Sequence, residues 1–111
     1  MREFDENARL RIVTHHQPGD EEIGRHLAAA LQGYGYNLDK PEAIPAKDDP
    51  GVRFFHEEDR QAAEKLNGFV TNLLSKEGLA ARLGVRLLKS QRNAAQGTIE
   101  IWLPPLARAA R

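Results

Sequence analysis

The chain has no cysteine, and this absence excludes several kinds of site. Without thiols there is no disulfide scaffold, no CxxC redox centre and no thiolate zinc site. Proteins without cysteine occur in the cytosol and in the periplasm alike, so this count leaves the compartment open.

An excess of charge of either sign is also absent. The 16 lysines and arginines balance the 16 aspartates and glutamates, which gives a net charge of +0. No overall attraction to nucleic acid or to an anionic membrane is therefore expected, although a local patch could still provide one. The 111 residues, 41% hydrophobic and 29% charged, fit a single soluble domain with one core.

Long apolar segments are missing as well. No run approaches the roughly 20 residues that span a bilayer, and the charged segment 1–7 lacks the apolar centre of a signal peptide. The sequence predicts an N-terminal extension over 1–7, one α/β domain over 8–104 and a tail over 105–111. No compartment is assigned from the sequence: the chain as it stands fits the cytoplasm, and it fits the periplasm if it is excised from an exported protein.

Residues suited to nucleophilic catalysis are few. Serine occurs only at 75 and 90, and threonine only at 14, 71 and 98. There is no G-x-S-x-G motif, so a positioned nucleophile with its base and orienting group is not indicated. The sequence predicts no catalytic residue and no cofactor.

The first half of the chain has a strand, helix and strand pattern. Apolar residues alternate over Ala8–His16, which favours a strand. Asp20 is a suitable N-cap for an amphipathic helix, and Gly33 and Gly35 supply its end. A weaker strand is predicted over Tyr36–Ala43, with Pro41 disfavouring its far end.

The second half repeats that pattern. Val52–His56 is a strand, and the acidic run Glu57–Asp59 begins a long helix that Gly78 ends or kinks. Two further strands, Val85–Lys89 and Thr98–Leu103, are joined by a loop. The apolar stripe of the long helix comprises Ala63, Leu66, Phe69, Val70, Leu73 and Leu74.

Two β-α-β units at 8–43 and 52–89 indicate an α/β (α+β) fold of ferredoxin-like or split β-α-β type. The sheet is expected to have four or five strands. Right-handed crossovers place both main helices on one face, which leaves the other face open to a partner.

Strand alternation predicts which side chains the open face carries. Ile12 and Ile101 are expected to face the helices, so their strand neighbours face the other way. The predicted binding surface consists of Arg9, Arg11, Arg53, Phe55 and Trp102. Arginines and aromatics on a sheet are typical of single-stranded RNA readers, but also of protein interfaces. The RNP1 pattern is absent. A plain core with arginines lying over it is a third interpretation.

Histidines provide one alternative for chemistry. His16 and His56 each end a strand that feeds a helix, and parallel neighbouring strands would bring them together near Asp20 and Glu57. Such a group could bind a metal. Partly exposed imidazoles at strand ends remain the favoured interpretation, because spacing alone is a weak signal. No metal ligand is therefore assigned.

Three stretches resemble a known family. The run Val52–Leu66 resembles the V-R-[YF]-F…E-D-R-x-A-A-x-x-L pattern of LytR C-terminal-type modules. The run Gly97–Pro104 is similar to the G-T-[IL]-E-[VI]-W-L-P ending of bacterial C-terminal domains, and Leu10–Leu31 completes the likeness. The resemblance implies a small α/β accessory module of bacterial cell-envelope or multidomain proteins. It carries over no catalytic or binding residue.

The predicted function is thus a non-catalytic accessory or binding module of a bacterial multidomain or cell-envelope protein. Its partner is expected to be another protein, a second copy of the chain or a cell-wall glycan, with no membrane span. One alternative is a single-stranded nucleic-acid-binding domain on the same open face, which the net charge disfavours. The other is a small metal-dependent hydrolase that uses His16 and His56.

Overall fold

A computed structural model of the chain describes residues 7–17, 19–39, 42–43, 50–76, 83–88 and 95–103. Within these ranges the strands are β1 (Arg11–His16), β2 (Asn37–Leu38), β3 (Glu42–Ala43), β4 (Gly51–Phe54), β5 (Val85–Leu87) and β6 (Thr98–Trp102). The helices are α1 (Glu21–Gly33) and α2 (Arg60–Lys76), and a 3-10 turn (Glu57–Asp59) precedes α2. The predictions for 1–6, for Gly78 and for 105–111 lie outside the described residues.

The strands form one mixed sheet in the order β2-β1-β6-β4-β5, and β3 also pairs with β1. β1 is parallel to β2, β3 and β6, whereas β6 is antiparallel to β4, and β4 is parallel to β5. The predicted mixed α/β sheet with two helices, of α+β ferredoxin-like type, is confirmed. Each β-α-β unit pairs its own two strands directly, and β6 lies between the two units.

Two strands differ in extent from the prediction. β1 begins at Arg11 rather than at Ala8, because the chain first makes a turn in which Leu10 N–H donates to the Asn7 carbonyl at 3.0 Å. The weak strand predicted over 36–43 is present as two short pieces, β2 and β3, which follow one another along the same edge of β1.

One face of the sheet forms the core together with both helices. Ile12, Val52, Phe54 and Ile99 are fully buried and share the same side of the sheet through the strand register. The helix residues in that same cluster are Leu27 and Leu31 of α1 and Ala63, Leu66, Val70 and Leu74 of α2. The strand residues of this cluster all lie on one face of the sheet, and the cluster also contains residues of both helices. Both helices therefore pack on that face. Each of the valine, leucine, isoleucine and phenylalanine side chains in this cluster contributes roughly 1.5–3 kcal/mol through burial.

The two ends of α1 differ in whether the predicted capping residue forms the expected cap. Asp20 is the N-cap residue, but its side chain makes no capping hydrogen bond. Glu21 instead accepts a hydrogen bond from the Gly19 N–H at 3.1 Å, and this bond lowers the pKa of the Glu21 carboxyl. At the other end Gly35 has φ +93°, and Tyr36 N–H donates to the Leu31 carbonyl at 3.2 Å. This is the left-handed glycine ending that the sequence predicts.

Gly97 connects the start of β6 to two other parts of the chain. Its N–H donates to the buried Asp59 carboxylate at 2.7 Å, and its carbonyl accepts from Arg11 N–H at 2.8 Å. Its φ is +92°, and a Cβ at this position would lie 3.1 Å from the Arg9 carbonyl oxygen. Asp59, which the sequence indicated only as a helix-start acid, thus holds the turn from which β6 begins.

The opposite end of β6 is also held to β1. Leu103 N–H donates to the His15 carbonyl at 2.9 Å. The Gln17 side-chain amide donates to the Leu103 carbonyl at 3.2 Å in a buried hydrogen bond. The register of β6 against β1 is therefore defined at both ends.

Replacing Asp59 tests this anchoring. Asp59→Ala leaves the Gly97 N–H without its buried acceptor, which costs roughly 1–3 kcal/mol of stability. Asp59→Asn retains a carbonyl oxygen, so the expected loss is smaller. The exposed neighbour Glu58→Gln is the matched control and should leave the free energy of unfolding in urea unchanged. Equal stability of the Asp59→Ala and Glu58→Gln variants would contradict the assignment.

The contact between β1 and α1 gives a second test. His16 is only 5% exposed, and a Cβ at Gly24 would lie 2.9 Å from His16 Nδ1. Overpacking of this kind costs about 1–3 kcal/mol, which outweighs the gain of up to about 1 kcal/mol in helix propensity. Gly24→Ala should therefore lower the midpoint of thermal unfolding.

Gly68 is the control for that substitution. It lies in the interior of α2, where an added Cβ meets nothing within 4 Å. Gly68→Ala should raise stability by about 0.5–1 kcal/mol through helix propensity. The close packing of His16 on α1 is refuted if both variants are stabilised alike.

Candidate binding face

The sheet has a second face, opposite the one on which both helices pack. We call it the distal face. Strand register places the following described side chains on it: Arg11, Val13, His15, Asn37, Arg53, Arg86, Thr98, Glu100 and Trp102. Alternation along each strand explains this set, because every one of these residues neighbours a core residue in the chain.

Three side chains of the distal face stack on one another. The Trp102 and His15 rings are 4.2 Å apart between centroids and inclined by 24°. The Arg53 guanidinium carbon lies 3.9 Å from the Trp102 ring centroid. Since β6 runs between β1 and β4, His15 and Arg53 approach the indole from opposite sides. We refer to this arrangement as the His15–Trp102–Arg53 stack.

The edge of the indole is held as well. Trp102 Nε1 donates a hydrogen bond to Glu100 Oε1 at 2.8 Å, and Glu100 lies directly across from Arg53 in the antiparallel register. A cation over an aromatic face contributes about 0.5–1 kcal/mol where it is exposed and about 2 kcal/mol where it is desolvated. Contacts within the chain itself therefore orient the indole of the stack.

The predicted surface residues are only partly brought together. Arg53 and Trp102 are in contact, and Arg11 lies on the same face but pairs with Asp39 at the other end of β1. The hydrogen bond from Arg11 Nε to Asp39 Oδ2, at 2.8 Å, raises the pKa of Arg11. The positions of Arg11, Arg53 and Trp102 on this face agree with the alternation of side chains along their strands.

Arg9 and Phe55 are not where strand alternation placed them. Arg9 lies in the turn before β1, where alternation does not apply, and lines a groove with Tyr36, Glu58 and Lys65. Phe55 follows the last residue of β4 and is only 7% exposed. The prediction that both belong to the open sheet face is therefore corrected: Arg9 is exposed but lies beside α2, and Phe55 is buried.

A concavity beside the stack was not predicted from the sequence. It measures about 210 Å³ and is lined by Pro50, Gly51, Arg53, Gly84, Val85 and Arg86. We call it the glycine notch, because Gly51 and Gly84 lie next to each other in the sheet where other strands carry side chains. Arg86 lies directly across from Arg53 in the parallel register. Alternation along β5 predicts on which face Arg86 lies. That Arg86 neighbours Arg53 follows only from the pairing of β4 with β5.

The histidine pair proposed for a metal does not form. His16 is at the carboxyl end of β1, and His56 follows the carboxyl end of β4. β1 and β4 run in opposite directions on either side of β6, so the two histidines lie at opposite ends of the strands. The alternative in which β1 and β4 are parallel neighbours is therefore wrong. No group of three histidine, aspartate or glutamate side chains in the described part of the chain is placed to hold a metal ion.

Comparison of the chain with protein-family models, curated proteins and solved structures finds no match. The resemblance to LytR C-terminal-type modules stays a prediction. Among the helices that the structure describes, none has the length and apolar character required to cross a membrane.

The stack can be tested through its indole, since Trp102 is the only tryptophan. Arg53→Ala and His15→Ala each uncover one face of the ring, so acrylamide should quench the Trp102 fluorescence more strongly in either variant. Arg53→Ala should also cost about 0.5–1 kcal/mol of stability.

Arg11→Ala is the control, because it removes an arginine from the same face without touching the indole. Its quenching constant should equal that of the unchanged chain. Quenching in Arg53→Ala that is no stronger than in Arg11→Ala would show that Arg53 does not cover the ring.

Proposed function

We propose that this chain is a non-catalytic binding module that attaches to a protein partner through the distal face. The observation that carries the proposal is the His15–Trp102–Arg53 stack, a rigid aromatic and cationic group on the sheet face opposite the helices. The resemblance to LytR C-terminal-type modules supports a setting in a bacterial multidomain or cell-envelope protein.

The composition of the stack favours a protein as partner. Tryptophan and arginine are the side chains most enriched at the energetic centres of protein interfaces. Here the Trp102 ring is already held by Glu100 and His15, and Arg53 lies over that ring, so binding has less side-chain freedom left to remove. Such preorganisation raises affinity without adding contacts.

The same residues are less suited to stacking on a nucleobase or on a sugar ring. A nucleobase stacks on an open aromatic face, and a sugar ring needs a similar surface. In Trp102 both ring faces are occupied by described neighbours, and Phe55 is buried. A protein partner therefore agrees better with the geometry than a single-stranded nucleic acid or an envelope glycan does.

Site-specific photo-crosslinking in the host cell tests the proposal. A photoreactive p-benzoylphenylalanine is placed at Val13 or Arg86 on the distal face, and at Arg25 or Asn72 on the exposed sides of the two helices. Ultraviolet light should produce discrete protein adducts from the first pair and not from the second. Mass spectrometry of an adduct then distinguishes a different protein from a second copy of the chain.

The helix positions provide the control, because all four variants carry the same reactive group. Adducts that arise from Arg25 or Asn72 alone, or equally from all four positions, would contradict the distal face as the docking surface. The absence of any adduct would contradict the binding function itself.

A further inference from the structure

We propose that the protein partner docks by adding an extended segment to β5, as a further strand of the sheet. This inference rests on the proposed function and adds to it the mode of recognition and the chemistry of the partner. It follows from the strand order, from the direction of the backbone groups of β5 and from the side chains beside them.

β5 forms one edge of the sheet in the described part of the chain. The strand order ends at β5, which has β4 on one side and no described strand on the other. The opposite edge consists of β2 and β3, which have two residues each, and Pro41, which has no N–H to donate, lies between them in the sequence. Because short strands and proline protect a sheet edge from pairing, β5 is the edge better able to accept another strand.

The hydrogen bonds between β4 and β5 fix the direction of the backbone groups of β5. The Gly84 carbonyl accepts from Val52 N–H at 2.8 Å, and Leu88 N–H donates to the Phe54 carbonyl at 2.9 Å. Positions 84 and 88 therefore face β4. Because the direction of the N–H and C=O groups alternates along a strand, position 86 also faces β4, while positions 85 and 87 face the outer edge.

These outward groups complement another extended backbone. Val85 and Leu87 each direct one N–H and one C=O away from the sheet, and the two residues are about 6.6 Å apart along the strand. An extended polypeptide carries donors and acceptors in the same alternation. Main-chain hydrogen bonds of this kind supply the affinity wherever a peptide adds a strand to an exposed sheet edge.

The side chains of β5 indicate which residues the added strand carries. Val85 and Leu87 are partly buried and pack against the core, and α2 packs on the same side of β5. The residues of the added strand that lie on this side are therefore expected to be apolar, at every second position. Its remaining residues lie beside Arg86 and so extend the distal face.

A second copy of the chain is a poorer occupant than a segment of another protein. Two copies of β5 related by a two-fold axis run antiparallel. The pairing that uses all the outward groups joins Val85 to Leu87 of the other copy and places Arg86 directly opposite its own counterpart. Like charges in this position destabilise the pair, and a partner segment without a basic residue there avoids the repulsion.

Amide hydrogen exchange in the full chain tests the geometry before any partner is added. The amides of Arg86 and Leu88 face β4 and should be protected, whereas those of Val85 and Leu87 should exchange roughly tenfold faster or more. Protection of Val85 and Leu87 equal to that of Arg86 would show that the edge is already covered, which would overturn the inference.

Proline at position 87 tests the docking itself, because it removes an outward N–H and leaves the bonds to β4 in place. Proline is accepted on an edge strand where its N–H side faces solvent. The probe is the protein captured by photo-crosslinking at position 13, in purified form. Its Kd should rise roughly tenfold or more in Leu87→Pro relative to Leu87→Ala, the matched control that retains the N–H. Adding this protein to the unchanged chain should also slow exchange at Val85 and Leu87.

Thermal unfolding verifies that both variants are folded. If Leu87→Pro does not fold, Val85→Pro against Val85→Ala gives the same comparison at the other outward position.

Three further results would overturn the inference. They are an equal Kd for the folded proline and alanine variants, unchanged exchange at Val85 and Leu87 when the captured protein is added, or capture of a second copy of the chain alone. Any of these, together with crosslinks confined to the distal face, would leave the binding function standing and remove only the added strand. The absence of every crosslink would instead remove the binding function, and the added strand with it.

Discussion

The pairing of β6 between β1 and β4 is the constraint on which the rest of the structure depends. Without β6 the two β-α-β units would share no strand contact among the described residues. Its register is held by the Asp59–Gly97 hydrogen bond at one end and by the Gln17–Leu103 hydrogen bond at the other. A slip of one residue would exchange the two faces of the strand and turn its isoleucines away from the helices.

The candidate binding face is a direct consequence of that register. With Ile99 and Ile101 in the core, Glu100 and Trp102 must point the other way. The antiparallel pairing to β4 then brings Arg53 to the indole, while the parallel pairing to β1 brings His15 to its other side. The same hydrogen bonds that stabilise the sheet therefore also preorganise the surface.

The sequence predicted those features that depend on local periodicity. Alternation identified β1, β4 and β6, and the stripe from Ala63 to Leu74 identified α2 and its buried side. Parity also placed Arg53 and Trp102 on one face correctly. It failed for Arg9 and Phe55, because each lies just beyond the end of a strand, where successive side chains no longer alternate.

Local sequence patterns do not predict which strands distant in the chain pair with one another. The sequence did not indicate that the last strand inserts between the two units, and so it could not show that β4 runs opposite to β1. Because this strand order was not predicted, the alternative in which His16 and His56 lie close together was wrong. It also hid the juxtaposition of Arg53 with Arg86, which needs the β4–β5 register.

The most direct measurement of the central claim follows the backbone and side-chain N–H resonances of the ¹⁵N-labelled chain when the protein identified by photo-crosslinking is added. Shifts are expected at the Nε–H groups of Arg53, Arg86 and Trp102, with Arg25 and Arg60 unmoved. Shifts confined to the groove on the helix side, around Tyr34, Lys65 and Phe69, would contradict it.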